Sequence, residues 1–199
     1  MALLHNASIV PTKIDMLRQW VPLQDWATHV DAHALDIIDA YRFDDPDGEV
    51  GIESFLLRTA DGRVLHVPLT YRGQSLTGAE ASLVTTMDHT VLGTRWVYDG
   101  CADPVYLRTL VDTILSGSSE AALEFDGPTP EGREVVRTRV RGSGVPDGRV
   151  PVADFVTTTV VREVDAEFDS SSVGAGTFTL TGTWPGQTEP ALLATVLAN

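Results

Sequence analysis

The spacing of apolar positions changes several times along this 199-residue chain, and each change predicts an element. His5–Val10 reads as a short first strand. Pro11-Thr12 then introduces a helix with Ile14, Leu17 and Val21 on one face and Trp20 and Leu23 beside it. Thr12 and Asp15 stand at the N-cap and N3 positions, a capping box with Asp in place of Glu or Gln. Pro22 ends or kinks this helix near Val21. From Ala34 the period falls toward two. Ala34–Phe43 and Val50–Thr59 read as strands joined by Asp44-Asp45-Pro46-Asp47-Gly48-Glu49, and Ala60-Asp61-Gly62 turns into a third strand at Arg63–Arg72. Ala79–Met87 is expected to be a short helix or an irregular crossing segment. Leu92–Tyr98 is strand-like, rich in aromatic and branched residues. Asp103-Pro104 opens a second helix, because Asp accepts from orphan N–H groups at the N-cap and Pro fits the first helical position. Leu107, Leu110, Val111, Ile114 and Leu115 form its apolar stripe, and Ser116-Gly117-Ser118-Ser119 stops it.

Beyond that helix the pattern is mainly strand. Residues 118–133, with Gly, Ser, Pro and acidic side chains, read as a connector. Glu134–Arg141 alternates, with Val136, Thr138 and Val140 on one face. Val156, Val160, Val164, Ala166 and Phe168 are placed on one face of a single run, and Phe178, Leu180 and Trp184 on one face of another. Pro185-Gly186-Gln187 turns into Ala191–Ala198, read as a strand rather than a helix because Pro190 precedes it. The predicted organisation is an α+β unit over 1–117, the connector, and a β-rich region over 134–199 packed on the first unit.

Composition narrows the function classes. Net charge is −14, with 14 basic and 28 acidic residues, and no basic cluster is present. A nucleic-acid partner or an anionic membrane surface is therefore disfavoured. No apolar run approaches the roughly 20 residues of a membrane helix, and no basic segment precedes an apolar run at the N-terminus. The expected setting is the cytoplasm. Cys101 is the single cysteine, so the chain holds no internal disulfide and no thiolate metal cluster. The basic residues are 13 arginines and one lysine, Lys13.

Four stretches carry a resemblance to a known family. Trp20-Val21-Pro22-Leu23-Gln24-Asp25-Trp26 resembles a tryptophan–proline–tryptophan helix. Val67-Pro68-Leu69-Thr70-Tyr71-Arg72 resembles a Val-Pro-Leu-x-Tyr-Arg strand, followed by Gly78-Ala79-Glu80. The fourth runs from His89 to Val105 through Gly93, Trp96, Asp103 and Pro104, joining an aromatic strand to a capped helix at fixed spacing. Together they are similar to the maltokinase N-terminal cap domain over roughly residues 12–115. The resemblance implies a cystatin-like arrangement, a curved antiparallel sheet with packed helices. It also implies a setting in maltose, trehalose or glycogen metabolism. The chain departs from the kinases at Ala27-Thr28-His29-Val30-Asp31, where they carry an aromatic and a glycine- and lysine-rich stretch.

Candidate chemistry is sparse. Phosphoryl transfer needs a cation on the phosphates and carboxylates for metal and nucleophile. The one lysine lies in the first helix, ahead of any glycine-rich loop, and arginine does not replace a compact ammonium there. His29-Val30-Asp31-Ala32-His33 looks superficially like a kinase catalytic His-x-Asp-x-His but lies on the wrong side of the chain. His29 and His33 lack a specified third metal ligand. Asp44, Asp45, Asp47 and Glu49 do not fit a calcium loop in register. Acidic neighbours would raise the Cys101 thiol rather than activate it. No catalytic residue, cofactor or metal site is assigned.

The remaining binding candidates are Arg95, Trp96, Tyr98 and Asp99. Alternation puts Trp96 and Tyr98 on one face of their strand and Arg95 and Asp99 on the other, so the four cannot all serve one site. Trp20, Pro22, Trp26, Pro68, Tyr71, Arg72, Gly93, Asp103 and Pro104 are expected to be scaffold. The expectation is a non-catalytic cap-like protein that docks on a protein partner, a kinase or glucan-metabolising enzyme. The alternative is a domain that binds a small sugar or sugar phosphate.

Overall fold

The computed structural model describes residues 2–4, 8–125, 137–145, 156–165 and 167–198. Residues 5–7 of the expected first strand, residues 134–136 of the alternating segment and Ala166 lie outside these. The chain is α+β and mostly strand, with a curled half-barrel sheet, two helices and a second sheet.

Helix α1 (Lys13–Trp20) begins where expected, with the Thr12 hydroxyl accepting from the Asp15 amide. After it Pro22 lies in a 3-10 turn at Val21–Leu23. Strands β3 (Asp36–Phe43), β4 (Gly51–Arg58) and β5 (Val64–Arg72) form the expected antiparallel meander. The segment read as a helix or crossing is instead a 3-10 turn at Glu80–Ser82 and then a strand, β6 (Leu83–His89). Its Val84-Thr85-Thr86 core favours extended backbone, and it forms a hairpin with β7 (Gly93–Asp99). Gly93 closes that hairpin at φ +72°, a conformation that suits glycine. With β2 (Ile9–Val10), the sheet runs in the order β2-β6-β7-β5-β4-β3.

The two faces of this sheet carry separate cores. On one, α1 packs Met16, Leu17 and Trp20 against Phe55, Leu57, Leu65, Val67, Leu69 and Val97. On the other lies α2 (Pro104–Ser116). Tyr106, Leu110, Val111, Ile114 and Leu115 meet Tyr41, Phe43, Ile52 and Leu56 of the first sheet. The same cluster contains Val140, Leu180, Trp184, Leu193 and Val196 of the second sheet, so both halves of the chain share one core. Thr109 and Thr113 are also buried on α2, their hydroxyls donating to the carbonyls of Val105 and Thr109. Gly117 caps the helix in the left-handed region.

The second sheet has the order β10-β13-β12-β9, formed by β9 (Arg139–Gly142), β10 (Val156–Val160), β12 (Thr177–Trp184) and β13 (Gln187–Ala198). The strand reading of 191–198 holds, and the strand starts earlier, at Gln187. Pro190 is tolerated because it falls in a register irregularity between Gly182↔Ala191 and Trp184↔Gln187. A short β8 (Leu123–Phe125) pairs in parallel with β1 (Ala2–Leu4) within the stretch read as a connector.

The single run expected from Val156 to Phe168 is divided. The Val161 amide still donates to Leu193 of the second sheet, but the carbonyl of Arg162 accepts from the His66 amide of β5. β11 (Glu163–Val164) then pairs with Val64 and Leu65 on the first sheet. Period-two alternation continues through such a crossover, so it was invisible in the sequence.

Helix α2 and β9 approach so closely that a Cβ on Gly142 would lie 2.2 Å from the Thr113 carbonyl oxygen and 2.7 Å from Ile114 Cα. Both are backbone atoms and cannot rotate away. Gly142→Ala is expected to lower unfolding stability by roughly 2–3 kcal/mol, the overpacking range. Gly174→Ala, with only the Thr177 hydroxyl at 3.9 Å, is the control and should cost far less in the same denaturant titration.

Candidate functional site

The buried carboxylate of Asp103 is the junction between β5 and α2. Arg72, at the end of β5, donates Nε to Oδ2 at 2.7 Å and Nη2 to Oδ1 at 2.6 Å, while the Thr70 hydroxyl donates to Oδ2 at 2.7 Å. Asp103 Oδ1 also accepts the Val105 amide at 2.9 Å, and Pro104 occupies the first helical position. Burial works to raise this carboxyl, but the hydrogen bonds from Arg72, Thr70 and Val105 outweigh it and hold it below the usual range. Gly100, just upstream, packs directly on this corner. A Cβ there would meet the Pro68 carbonyl and the Tyr106 ring at 3.1 Å.

On the opposite face Glu53 is the buried charge. Lys13 Nζ donates to Oε1 at 2.8 Å and Arg42 Nη2 to the same oxygen at 2.9 Å, and the Tyr71 hydroxyl donates to Oε2 at 3.2 Å. Burial would raise Glu53, yet the charges of Lys13 and Arg42 together hold it down at about 2. The only lysine of the chain therefore fastens α1 to β4.

A third polar group ties the two halves together. Arg162, from the crossover, donates Nη2 to both carboxylate oxygens of Asp99, at 2.6 Å to Oδ1, and its guanidinium lies 4.7 Å over the Trp26 ring. Trp26 in turn meets Trp20 edge-on at 5.9 Å. Nearby, His66 is fully buried. Its Nδ1 is 3.3 Å from the Val161 carbonyl, which can only accept, so Nδ1 carries the proton and Nε2 accepts from the Tyr41 hydroxyl at 2.8 Å. Burial, and then the charge of Arg162, push His66 down to about 3. Burial is also the main cause that lifts the Cys101 thiol to about 12; Arg162 opposes this and Asp99 adds to it.

The four binding candidates are not brought together. Asp99 is committed to Arg162 and to the Cys101 amide. Arg95 braces its own hairpin through the Leu92 carbonyl at 2.7 Å and lies against Gly73. Tyr98 is buried, its hydroxyl accepting from the Leu76 amide at 2.9 Å. Trp96 alone is half-exposed, across from Thr86 on β6 and Arg72 on β5. A shallow open depression of about 340 Å³ lies elsewhere, over the β12–β13 turn beside Arg137 and Gln187, and none of the four lines it. Among the described residues no group of three or more His, Cys, Asp or Glu could hold a metal ion, and no helix is long and apolar enough to cross a membrane. Sequence reasoning missed Glu53, His66 and Arg162. The available signal was a charged or polar side chain set among apolar strand neighbours, which requires a buried partner.

The tryptophan corner, the Tyr71-Arg72 strand end and the Gly93-to-Asp103 block now stand as one connected frame. Residues 20–103 match the maltokinase N-terminal cap domain. The matched span is narrower than the 12–115 expected and ends on Asp103 itself. A comparison with curated proteins gives no match. Trp20 and Trp26 form the corner behind Pro22, Pro68 backs Gly100, Tyr71 reaches Glu53, and Arg72 holds Asp103. The matched domain is by description a cap, distinct from the catalytic part of a maltokinase.

Two outcomes check this account. Asp103→Ala leaves the Arg72 charge without its partner and removes the N-cap, and should cost about 3–5 kcal/mol. Asp103→Asn retains an acceptor for Val105 and should recover about 1 kcal/mol of that by chemical denaturation. His66 generates a pH dependence of known sign. Its folded value is depressed from 6.5, so between pH 6.5 and about 3 the unfolded chain binds a proton that the folded chain does not, and stability falls with falling pH. From pH 6.5 to 5 the loss should be about 2 kcal/mol. His66→Gln should flatten that part of the profile; an unchanged slope would remove His66 as its source.

Proposed function

We propose that this protein is a non-catalytic cap module that works by docking on another protein, in a cytoplasmic setting of maltose, trehalose or glycogen metabolism. The observation that carries the reading is the cap-domain match over 20–103 in a chain whose one lysine is consumed in fastening α1 to Glu53. A lysine that neutralises a buried carboxylate is not available to hold ATP phosphates. In this reading residues 1–117 are the cap-like unit and 134–199 a β-rich unit that completes its core. The partner is a catalytic lobe of the maltokinase type or a glucan-metabolising enzyme, and the role is regulatory or architectural. The dispersal of Arg95, Trp96, Tyr98 and Asp99 supports protein docking over a sugar pocket, since no two of them converge on one cavity among the described residues.

Mixing the full chain with a maltokinase catalytic lobe freed of its own cap tests this directly. The expected result is a stoichiometric complex by analytical ultracentrifugation, no ATP consumption by the chain alone with maltose, and no calorimetric signal with maltose, trehalose or maltose 1-phosphate. ATP-dependent maltose phosphorylation by the isolated chain, abolished by a point substitution, would overturn the reading. So would failure to associate with the lobe.

A further inference from the structure

The second sheet ends differently at its two edges. At one end β9 is covered: the Gly142 amide donates to the Ser118 carbonyl, and Ser119 bridges to Arg141. At the other end stands β10, which pairs with β13 on its inner side and has no strand beyond it among the described residues. Its register on β13 runs unbroken from Val156↔Ala198 to Val160↔Ala194. Just past it the Val161 amide donates to the Leu193 carbonyl, while the Ala198 amide donates away from β10, to the Gly176 carbonyl. Antiparallel partners alternate between bonded and non-bonded pairs. The backbone groups of Thr157 and Thr159 therefore face β13, and those of Val156, Thr158 and Val160 face outward.

This edge reads the same in both directions. Val156-Thr157-Thr158-Thr159-Val160 is symmetric about Thr158 and wholly β-branched, which suits a strand. No lysine, proline or bulge blunts it. Val156 and Val160 pack on the shared core with Thr158 on the same side, while Thr157 and Thr159 stand exposed on the opposite face. Two such strands set antiparallel about Thr158 match residue for residue. Thr158 meets Thr158 of the second strand, Val156 meets Val160 on the core side, and Thr157 meets Thr159 on the exposed side. Each outward amide and carbonyl then finds a partner, and the Thr–Thr pairs are of a type that favours a ladder.

Charge is compatible with a second copy at this edge and at few other places. With net charge −14, two copies repel wherever acidic side chains approach. β10, the neighbouring Leu192–Ala198 of β13, and β12 beyond it carry no acidic residue. The row Thr159–Thr195–Thr179 extends this uncharged surface across three strands. By contrast, Asp36 and Asp39 on β3 and Asp88 on β6 charge the outer strands of the first sheet, and Arg139 and Arg141 charge β9. We propose that β10 joins β10 of a second copy of this chain, antiparallel about a two-fold axis at Thr158, so that the two four-stranded sheets become one. A two-fold join uses both edges and closes at a dimer. One short strand per copy makes a small interface, so the dimer dissociates on dilution. The inference goes beyond the docking reading and is independent of it.

Sedimentation velocity of the full chain from millimolar to micromolar concentration, with amide hydrogen exchange on the same samples, tests this. The expected result is a monomer–dimer equilibrium with no larger species, and exchange at the Thr158 and Val160 amides at least threefold slower where the dimer prevails. Thr157→Lys combined with Thr159→Lys sets like charges against each other twice across the join and should weaken the dimer at least tenfold. Thr157→Lys combined with Thr159→Glu sets opposite charges there and should return the affinity to within threefold of the unaltered chain. Both positions are exposed, and an unchanged denaturation midpoint of the diluted chains checks that the variants fold. Should either fail to fold, the exchange measurement on the unaltered chain decides alone. A chain that stays monomeric at millimolar concentration, or grows past the dimer, overturns the proposal. A dimer whose Thr158 exchange does not depend on concentration overturns it too. So does a lysine–glutamate variant that associates no more tightly than the double-lysine one, because another surface or register then holds the copies.

Discussion

Asp103 has no exposed surface and accepts four hydrogen bonds, and the rest of the architecture depends on that arrangement. A buried carboxylate is tolerated only when its charge is paired and its lone pairs are filled. Arg72 and Thr70 supply that from the end of β5, and the Val105 amide supplies it from the first turn of α2. The same four contacts therefore fix where the helix begins and how it leaves the sheet. Once that angle is set, Tyr106, Leu110 and Ile114 are delivered onto Tyr41, Ile52 and Leu56, and the surface they create is what the second sheet covers. One carboxylate thus determines both the cap frame and the seat for residues far beyond it in sequence.

Elements set by local chemistry were legible in the sequence. The Thr12 cap, the Asp103-Pro104 start, the Gly117 stop and the β3–β4–β5 meander follow from residue types and spacing that act over a few positions. The misreadings share a different cause. β6 was obscured because its apolar positions are interrupted by a bulge between Leu83 and Thr85, which breaks the period-two signal. The crossover at Val161-Arg162 was hidden because alternation says which way a side chain points and nothing about which sheet it joins. Of the candidate site, the separation of Trp96 and Tyr98 from Arg95 and Asp99 was readable from alternation alone. The identity of Asp99's partner was not, since Arg162 lies 63 residues away and no local pattern links them.

The handover along β5 gives these long-range contacts a common logic. β7 pairs with β5 from Leu69 to Arg72, and β11 pairs with it at Val64 and Leu65, so two strands share one edge. Between them the edge is bridged by the Arg162 carbonyl on the His66 amide. The Arg162 side chain faces the end of β7, where Asp99 neutralises it, and stacks on Trp26 from the tryptophan corner. The second half of the chain therefore contributes a residue to the cap frame itself and is more than a neighbour packed on its surface. Arg162 Nη1, Tyr106 Oη and Ser54 Oγ remain buried without a well-directed partner, and the deep depression of His66 belongs to the same densely packed region.

Occupancy of the sheet's faces follows from the placement of the two helices. α1 fills one face, and α2 with the second sheet fills the other, among the described residues. β3, at one end of the strand order, is engaged by the later chain: the Ala121 amide donates to the Arg42 carbonyl, and Asp39 accepts the amides of Arg137 and Thr138. The opposite end, β6 beyond the reach of β2, carries no such cover among the described residues. A sheet with both faces filled and one end closed has its remaining hydrogen-bonding capacity at the other end. That asymmetry follows from the short reach of β2, which pairs with β6 only at His89 and Asp88.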